Sequence, residues 1–301
     1  EETVSCGGGY RLGNRVFKCL GRHGPMNMRS AIMKSCNTYF YAMSNRIGYD
    51  AIAPAARELG LGQEFALPFT SQRYGTVPDS EWMRRKYGKE WARSDTLNAT
   101  IGQGYVLASP FQLALMAARI ASGLKVDPHI IAGKRKPPPH LPFPDEHLAI
   151  VREGMDLVVN GAGTAVRSRL DLTDVRMGGK TGTAQVRAIK GGQRGQSGAW
   201  KYRDHGLFVC FAPVDQPRYG AAVVIEHGMG GARAAAPIAK DVLTFLYDRE
   251  KAMAALEALE AGWGGTPVER MQRSLDAFIA ASRGPTREDS EAAQKKQTEA
   301  G

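Results

Sequence analysis

The sequence lacks any apolar run of the roughly eighteen residues that a membrane-spanning helix needs. Residues 1–5 have neither the basic start nor the apolar stretch of a secretion signal. We therefore expect any membrane anchor or signal to lie upstream of this chain.

Cysteine is scarce, with four residues in 301, which excludes a small scaffold framed by disulfides. Acidic residues are also few, since 30 Asp and Glu stand against 40 Lys and Arg, a net charge of +10. This excess of positive charge would favour binding to an anionic partner such as nucleic acid, a membrane surface or a wall polymer, and charge alone does not distinguish among these partners. A hydrophobic content of 43% is enough for one or two globular domains.

Residue spacing predicts a mainly helical first half. Two helices are expected to meet at Ser35-Cys36-Asn37, because helical periodicity from 28 to 47 is broken there by residues that favour caps and turns. Further helices are predicted over 49–59, with Pro54 in its first turn, over 111–122 and over 145–160, while 63–108 is predicted to be mostly loop.

The second half changes to short apolar segments separated by Gly-rich or Asp/Pro turns, which predicts strands over 175–186, 206–214 and 219–227. An amphipathic helix is expected over 234–247 to cover the sheet. The fold class is therefore α/β (α+β), a helical subdomain plus an antiparallel sheet flanked by helices. Residues 249–301 are predicted to form a polar C-terminal tail, partly helical or disordered.

The clearest catalytic motif is Lys180-Thr181-Gly182, at the centre of a predicted strand. With Ser-x-x-Lys and a Ser-x-Asn motif it forms the signature of penicillin-binding proteins and related β-lactamases. A three-residue motif arises by chance in about one chain in ten of this length. Strand preference would also explain the threonine, and Ser35-x-Asn37 alone would be a helix cap.

The order of these motifs is more informative: helices, Ser35-x-Asn37, then Lys180-Thr-Gly on a strand. Together with five further stretches, the chain over about 1–248 resembles the C-terminal part of the transpeptidase domain of the penicillin-binding protein 2 family. The stretches are Ala31–Tyr41, Ile101-Gly-Gln-Gly-Tyr105, Ser109–Leu113, His205-Gly-Leu-Phe and Phe211-Ala-Pro213. The resemblance implies the penicillin-recognising serine transpeptidase fold, shared with β-lactamases.

In this family a serine attacks the stem peptide before its terminal D-Ala, a lysine acts as base, and an acyl-enzyme forms. The resemblance implies that Ser35 relays a proton to the departing nitrogen and that Asn37 binds the substrate amide. It implies that Lys180 supplies positive potential and contacts Ser35.

The resemblance also assigns substrate binding to the strand residues that follow Lys180. The hydroxyls of Thr181 and Thr183 would hold the terminal carboxylate, and the Thr183 N–H would form half of the oxyanion hole. Gly182 would let the substrate lie close to the strand.

The chain departs from the family in one respect, because the 34 residues before Ser35 contain no Ser-x-x-Lys. The only such motif, Ser122-Gly-Leu-Lys125, follows Ser35 and contains a glycine that would interrupt the helical turn, so we reject it as nucleophile. We expect an N-terminally truncated chain that does not form an acyl-enzyme alone.

Three cysteines and a histidine, Cys6, Cys19, His23 and Cys36, have the spacing C-x12-C-x3-H-x12-C, a full tetrahedral zinc set. The alternative is a Cys6–Cys19 disulfide, which would leave Cys36 as a buried apolar residue. Some members of the family carry zinc here, with one ligand at the middle of the Ser-x-Asn motif, where Cys36 stands. The prediction is a structural Zn in a segment spanning 1–36.

Family resemblance further implies a domain in the periplasm, held on the inner membrane by a single upstream anchor. It implies a role in cell elongation, with peptidoglycan stem peptides and β-lactams as ligands and a polymerising glycosyltransferase and other elongation-complex proteins as partners. Three alternatives are a β-lactam-hydrolysing or sensing relative, a non-catalytic scaffold, and a basic zinc-stabilised module that binds nucleic acid through 134–136. The basic residues lack interleaved aromatics, so no nucleic acid is expected.

Overall fold

A computed structural model of the protein describes residues 2–68, 72–133, 135–186 and 199–282. Two small antiparallel ribbons occupy the start of the chain. Strand β1 (Val4–Cys6) pairs with β4 (Gly24–Met26), and β2 (Gly9–Leu12) pairs with β3 (Arg15–Lys18). Gly13 makes the β2–β3 turn with a φ of 56°, a conformation that glycine adopts without strain.

The predicted helix junction is confirmed. Helix α1 (Met28–Lys34) and helix α2 (Asn37–Ile47) flank Ser35 and Cys36. Helix α3 (Tyr49–Glu58) follows as predicted, but Pro54 lies in its interior and not in its first turn.

The prediction of loop over 63–108 is wrong in two places. Helices α4 (Ser80–Tyr87) and α5 (Arg93–Thr100) lie there. Both are short and polar, so their periodicity is weak, and side-chain caps define their starts. The Asp79 carboxylate accepts the Trp82 N–H at 2.7 Å at the start of α4.

Helices α6 (Pro110–Ser122) and α7 (Asp145–Asn160) confirm the predicted spans. The Ser109 hydroxyl accepts the Gln112 N–H at 3.3 Å, and proline occupies the first turn of α6, where its missing N–H costs nothing. Gly123 ends α6 in a left-handed conformation with φ 73°.

The main sheet has the order β5–β6–β7 and is antiparallel throughout, as the sequence predicted. Its strands are β5 (Gly178–Ala184), β6 (His205–Ala212) and β7 (Tyr219–Ile225). Helices α6 and α7 pack on it, and α7 also packs on α1. Strand β6 is central, so among the described residues the outer edge of β5 has no partner strand.

Short helix α8 (Gly231–Ala234) and helix α9 (Ala236–Tyr247) follow β7. The chain divides into a unit ending at Thr244 and a second beginning at Phe245. The second contains helices α10 (Arg249–Gly262) and α11 (Pro267–Ser282). Residues 283–301 of the predicted tail, and Lys134 of the basic stretch 134–136, lie outside the described residues. In the described part of the chain, no helix has both the length and the apolar composition to cross a membrane.

The turn after α7 leaves no room for a side chain at Gly163. A Cβ there would lie 2.3 Å from Val158 Cα and 2.4 Å from the Val158 carbonyl oxygen. Because backbone cannot yield as a side chain can, Gly163→Ala is expected to lower the free energy of unfolding by about 2–3 kcal/mol. Urea unfolding measures the change. Gly133→Ala is the matched control, since a Cβ there meets nothing within 4 Å. Equal stability of the two variants would contradict this packing.

Candidate active site and metal centre

Ser35 sits on a sharp turn between two helices. Its φ of 55° and ψ of 48° lie in the left-handed region, which is uncommon for any residue except glycine. Backbone hydrogen bonds hold the turn, with the Ser35 N–H donating to Ile32 at 3.2 Å and the Cys36 N–H donating to Ala31 at 2.8 Å. Strained backbone of this kind is concentrated at functional sites.

Lys180 on β5 reaches this turn from a position 145 residues later in the sequence. Its Nζ donates to Ser35 Oγ at 2.8 Å and to the Thr181 carbonyl oxygen at 2.9 Å. Burial lowers the pKa of Lys180 from 10.5 to about 8. At neutral pH the side chain is still mostly cationic, but it gives up its proton more readily than a surface lysine.

The open edge of β5 presents backbone groups next to Lys180. Gln103 Nε2 donates to the Thr183 carbonyl oxygen at 2.8 Å, so that carbonyl points away from β6. In a strand the N–H and C=O of one residue point to the same side, so the Thr183 N–H also faces the open edge. Thr181 Oγ1 lies 2.7 Å from Thr164 Oγ1.

Asn37 begins α2, on the same junction as Ser35, and its amide Nδ2 donates to the Lys18 carbonyl oxygen at 3.4 Å. Gly182 lies between the two threonines, and a Cβ there would approach Leu207 Cβ to 3.3 Å. The fold thus brings Ser35 and Lys180 into direct contact. Asn37 lies on the same helix junction as Ser35, and Thr181, Gly182 and Thr183 lie on β5 with Lys180.

Sequence reasoning missed the contacts of Gln103 and Thr164 with β5. Gln103 belongs to the Gly-Gln-Gly stretch that carried part of the resemblance, and Thr164 follows Gly161-Ala162-Gly163, just after the predicted helix over 145–160. No signal in the sequence shows that Gln103 meets a strand residue 80 positions later or that Thr164 meets one 17 positions later, because such contacts depend on the tertiary fold.

The serine and the lysine of the rejected Ser122–Lys125 motif each have another hydrogen-bond partner. The Ser122 hydroxyl donates to the Ala118 carbonyl at 2.8 Å, and Lys125 Nζ donates to Glu58 Oε2 at 2.7 Å. This geometry agrees with its rejection as a nucleophile.

Cys6, Cys19, His23 and Cys36 converge, with their ligand atoms all within 4.8 Å of one another. His23 Nδ1 lies 3.6 Å from the sulfur atoms of both Cys6 and Cys19, and the sulfurs of Cys19 and Cys36 are 3.9 Å apart. A tetrahedral zinc with ordinary Zn–S and Zn–N bonds sets its ligand atoms about 3.5 to 3.8 Å apart. The donor set and its spacing therefore fit a metal ion.

The thiols of Cys19 and Cys36 titrate as a pair. Their mutual hydrogen bond lowers the pKa of the Cys19 thiol and raises the pKa of the Cys36 thiol, so Cys19 is the first of the two to form a thiolate. None of the four cysteines, all of which lie in the described part of the chain, forms a disulfide, so the alternative of a Cys6–Cys19 disulfide is not what the structure shows. The fourth cysteine, Cys210, is fully buried in β6, where burial raises the pKa of its thiol to about 12.

His205, the first residue of β6, and His227, just after β7, are joined to each other and to the backbone. The His227 N–H donates to His205 Nδ1 at 2.9 Å, and His227 Nδ1 lies 2.8 Å from the Arg203 carbonyl oxygen. Backbone contacts thus fix both rings.

A family model described as the penicillin binding protein transpeptidase domain matches residues 1–244. The peptidoglycan D,D-transpeptidase MrdA of Acinetobacter baumannii is 37% identical over 253 residues, which cover 79% of this chain and 37% of that protein. The MrdA of Haemophilus influenzae is 31% identical over 249 residues, 78% of this chain and 38% of that protein. The chain therefore spans less than two fifths of the length of these relatives.

Solved structures of penicillin-binding proteins are also similar to this chain. Pseudomonas aeruginosa PBP2 in complex with WCK 5153 superposes with a TM-score of 0.70 at 32% identity, over 81% of this chain and 55% of that one. A complex between PBP2 and MreC from Helicobacter pylori gives a TM-score of 0.72 at 27% identity, over 82% and 45%. A peptidoglycan synthase complex that coordinates polymerization and crosslinking gives 0.64 at 31%, over 81% and 42%.

Proposed function

The chain belongs to the penicillin binding protein transpeptidase family, and from that premise we propose that it supplies the Ser-x-Asn and Lys-Thr-Gly parts of a peptidoglycan D,D-transpeptidase active site. The observation that carries the proposal is the 2.8 Å contact from Lys180 Nζ to Ser35 Oγ, which joins the two motifs. In this proposal residues 1–248 are the transpeptidase part, and 1–36 its metal-binding segment.

The proposed reaction has two acyl transfers. A serine hydroxyl attacks the carbonyl before the terminal D-Ala, an ester to the serine forms, and the C–N bond to D-Ala breaks. The attacking serine would lose its proton to the lysine of its Ser-x-x-Lys, and Ser35 would relay a proton from that lysine to the departing nitrogen. Because Lys180 donates to Ser35 Oγ, the Ser35 hydroxyl proton is free to take part in this relay. The amine of a second stem peptide then attacks the ester and releases the serine.

Binding of the substrate's terminal carboxylate is assigned to Lys180 and the hydroxyls of Thr181 and Thr183. The cation and two donors form a site for an anion at the open edge of β5. The Thr183 N–H at that edge would stabilise the oxyanion, a contact of a kind worth about 3–4 kcal/mol. Asn37 would bind the substrate amide, and Gly182 keeps the strand surface free of a side chain.

The nucleophile is proposed to come from a Ser-x-x-Lys outside these 301 residues, because the only such motif in the chain has other partners. Two proteins test this: the 301-residue chain, and the same chain extended upstream through a Ser-x-x-Lys segment, called here the extended protein. Fluorescent penicillin followed by intact mass is expected to label the extended protein alone. If neither protein labels while both are folded, the transpeptidase proposal fails and a non-catalytic scaffold is favoured.

We assign a structural zinc to Cys6, Cys19, His23 and Cys36. The ion would supply a fixed tetrahedral link and no reaction chemistry. A metal link would join the ribbons β1–β4 to the start of α2, in addition to the apolar packing of Met26 and Phe17 against residues of the helices. Cys36 adjoins Ser35, and the link would thereby also hold the turn that presents the Ser35 hydroxyl.

Stem peptides and β-lactams are the proposed ligands, and the periplasm the proposed location, because the matched relatives are peptidoglycan D,D-transpeptidases. The solved PBP2–MreC and peptidoglycan synthase complexes support elongation-complex partners, including a polymerising glycosyltransferase. A β-lactam-hydrolysing relative would deacylate within seconds to minutes, whereas a transpeptidase label is expected to persist, so the lifetime of the label separates the two.

A further inference from the structure

The turn between α7 and β5, residues 161–165, contacts the Lys-Thr-Gly strand and the residue just before the Ser-x-Asn motif. Lys34, the residue before Ser35, donates from Nζ to the Ala162 carbonyl at 2.5 Å. Two residues later, Thr164 Oγ1 lies 2.7 Å from Thr181 Oγ1. The turn therefore links the end of α1 to the middle of β5.

Packing holds this turn in place. The Ala165 N–H donates to the Val158 carbonyl at 3.0 Å, and Asn160 Nδ2 donates to the Met177 carbonyl at 2.9 Å, just before β5 begins. Gly163 lies directly on the Val158 backbone. Thr164 is partly buried, and its hydroxyl lies within hydrogen-bond distance of the Thr181 hydroxyl.

A hydroxyl has one proton and two acceptor lone pairs. If Thr181 gives its proton to Thr164, it has none for a substrate carboxylate. If Thr164 gives its proton to Thr181, the Thr181 proton is free to point at the anion. A bound carboxylate favours this second arrangement, and a chain of donors that ends on an anion strengthens each bond in it.

We propose that Thr164 is a positioning residue that orients the Thr181 hydroxyl so that it donates to the terminal carboxylate of the substrate. The inference rests on the proposed function, because it needs Thr181 to be a carboxylate donor. The inference extends that function, because recognition of a free carboxylate would then depend on Thr164, which lies outside the Ser-x-Asn and Lys-Thr-Gly motifs.

The test compares two ligands that differ only in that carboxylate: benzylpenicillin and its methyl ester. Second-order rate constants for acylation of the extended protein are measured by competition with fluorescent penicillin. Thr164→Val keeps the shape of the side chain and removes the hydroxyl. It is expected to slow acylation by benzylpenicillin about tenfold and by the methyl ester less than about twofold. Thr164→Ser restores the hydroxyl and is expected to restore the rate.

Thr244→Val is the matched control, since the Thr244 hydroxyl donates to the Lys240 carbonyl at 2.8 Å within α9. It is expected to leave both rates unchanged. Equal losses with the two ligands would show a merely structural role for Thr164 and overturn the inference, as would no loss with either. If Thr164→Val does not fold, Thr164→Ala carries the same comparison. An unmodified extended protein that neither ligand acylates refutes the proposed function itself.

Discussion

Lys180→Met is expected to slow acylation of the extended protein by penicillin by about 10³-fold or more. Methionine fills a similar volume but supplies neither the positive charge for the ligand's carboxylate nor the donor that holds Ser35 Oγ. The initial rate of labelling by fluorescent penicillin measures the loss. Lys125→Met is the matched control, because Lys125 pairs with Glu58 away from β5. A rate within about tenfold of the unmodified protein would contradict an electrostatic role for Lys180.

The Lys180→Met substitution is also expected to change how the free energy of unfolding depends on pH. Burial lowers the pKa of Lys180 to about 8, against 10.5 for an ordinary lysine. Between those values the unfolded chain binds the proton and the folded chain does not, so the free energy of unfolding rises with pH across this window. Lys180→Met lacks that contribution. The difference in stability between the unmodified protein and the variant should therefore change between pH 7 and pH 10 in urea unfolding, and parallel curves would show that Lys180 is not desolvated.

Removing the metal is expected to lower the midpoint of thermal unfolding by about 10 °C or more, since structural zinc contributes several kcal/mol or more to such segments. Protein purified without chelator should contain one zinc per chain by elemental mass spectrometry. Calorimetry before and after chelation then measures the shift. A metal-to-protein ratio near zero would contradict the zinc assignment.

Two cysteine variants separate metal loss from the loss of a buried side chain. Cys19→Ser removes one ligand and is expected to lose the metal and most of the chelator-dependent shift. Cys210→Ala also removes a fully buried thiol but lies in β6, outside the group, so it should keep one zinc per chain. If both variants retain the same metal content, the four-residue group is not the binding site.

Chelation should also slow penicillin labelling of the extended protein, because Cys36 adjoins Ser35 in the turn that meets Lys180. Added zinc should restore the rate.

Local sequence was enough to predict the elements that carry the site. Cap-forming residues at Ser35–Asn37 marked the junction of α1 and α2, and short apolar segments between Gly-rich or Asp/Pro turns marked the three strands of the main sheet. These signals act over a few residues, so a single chain displays them. Helices α4 and α5 escaped prediction because they are short and polar, and their starts depend on single capping carboxylates such as Asp79.

The sequence by itself determined which chemical groups are present: a Lys-Thr-Gly strand, a Ser-x-Asn turn, and three cysteines and a histidine at metal-ligand spacing. Only the tertiary structure decided that Lys180 meets Ser35 across 145 residues, that the four metal-binding candidates converge, and that Thr164 meets Thr181. The reason is physical. Residue type and spacing fix local conformation, whereas contacts between distant segments depend on how helices and strands pack into one core.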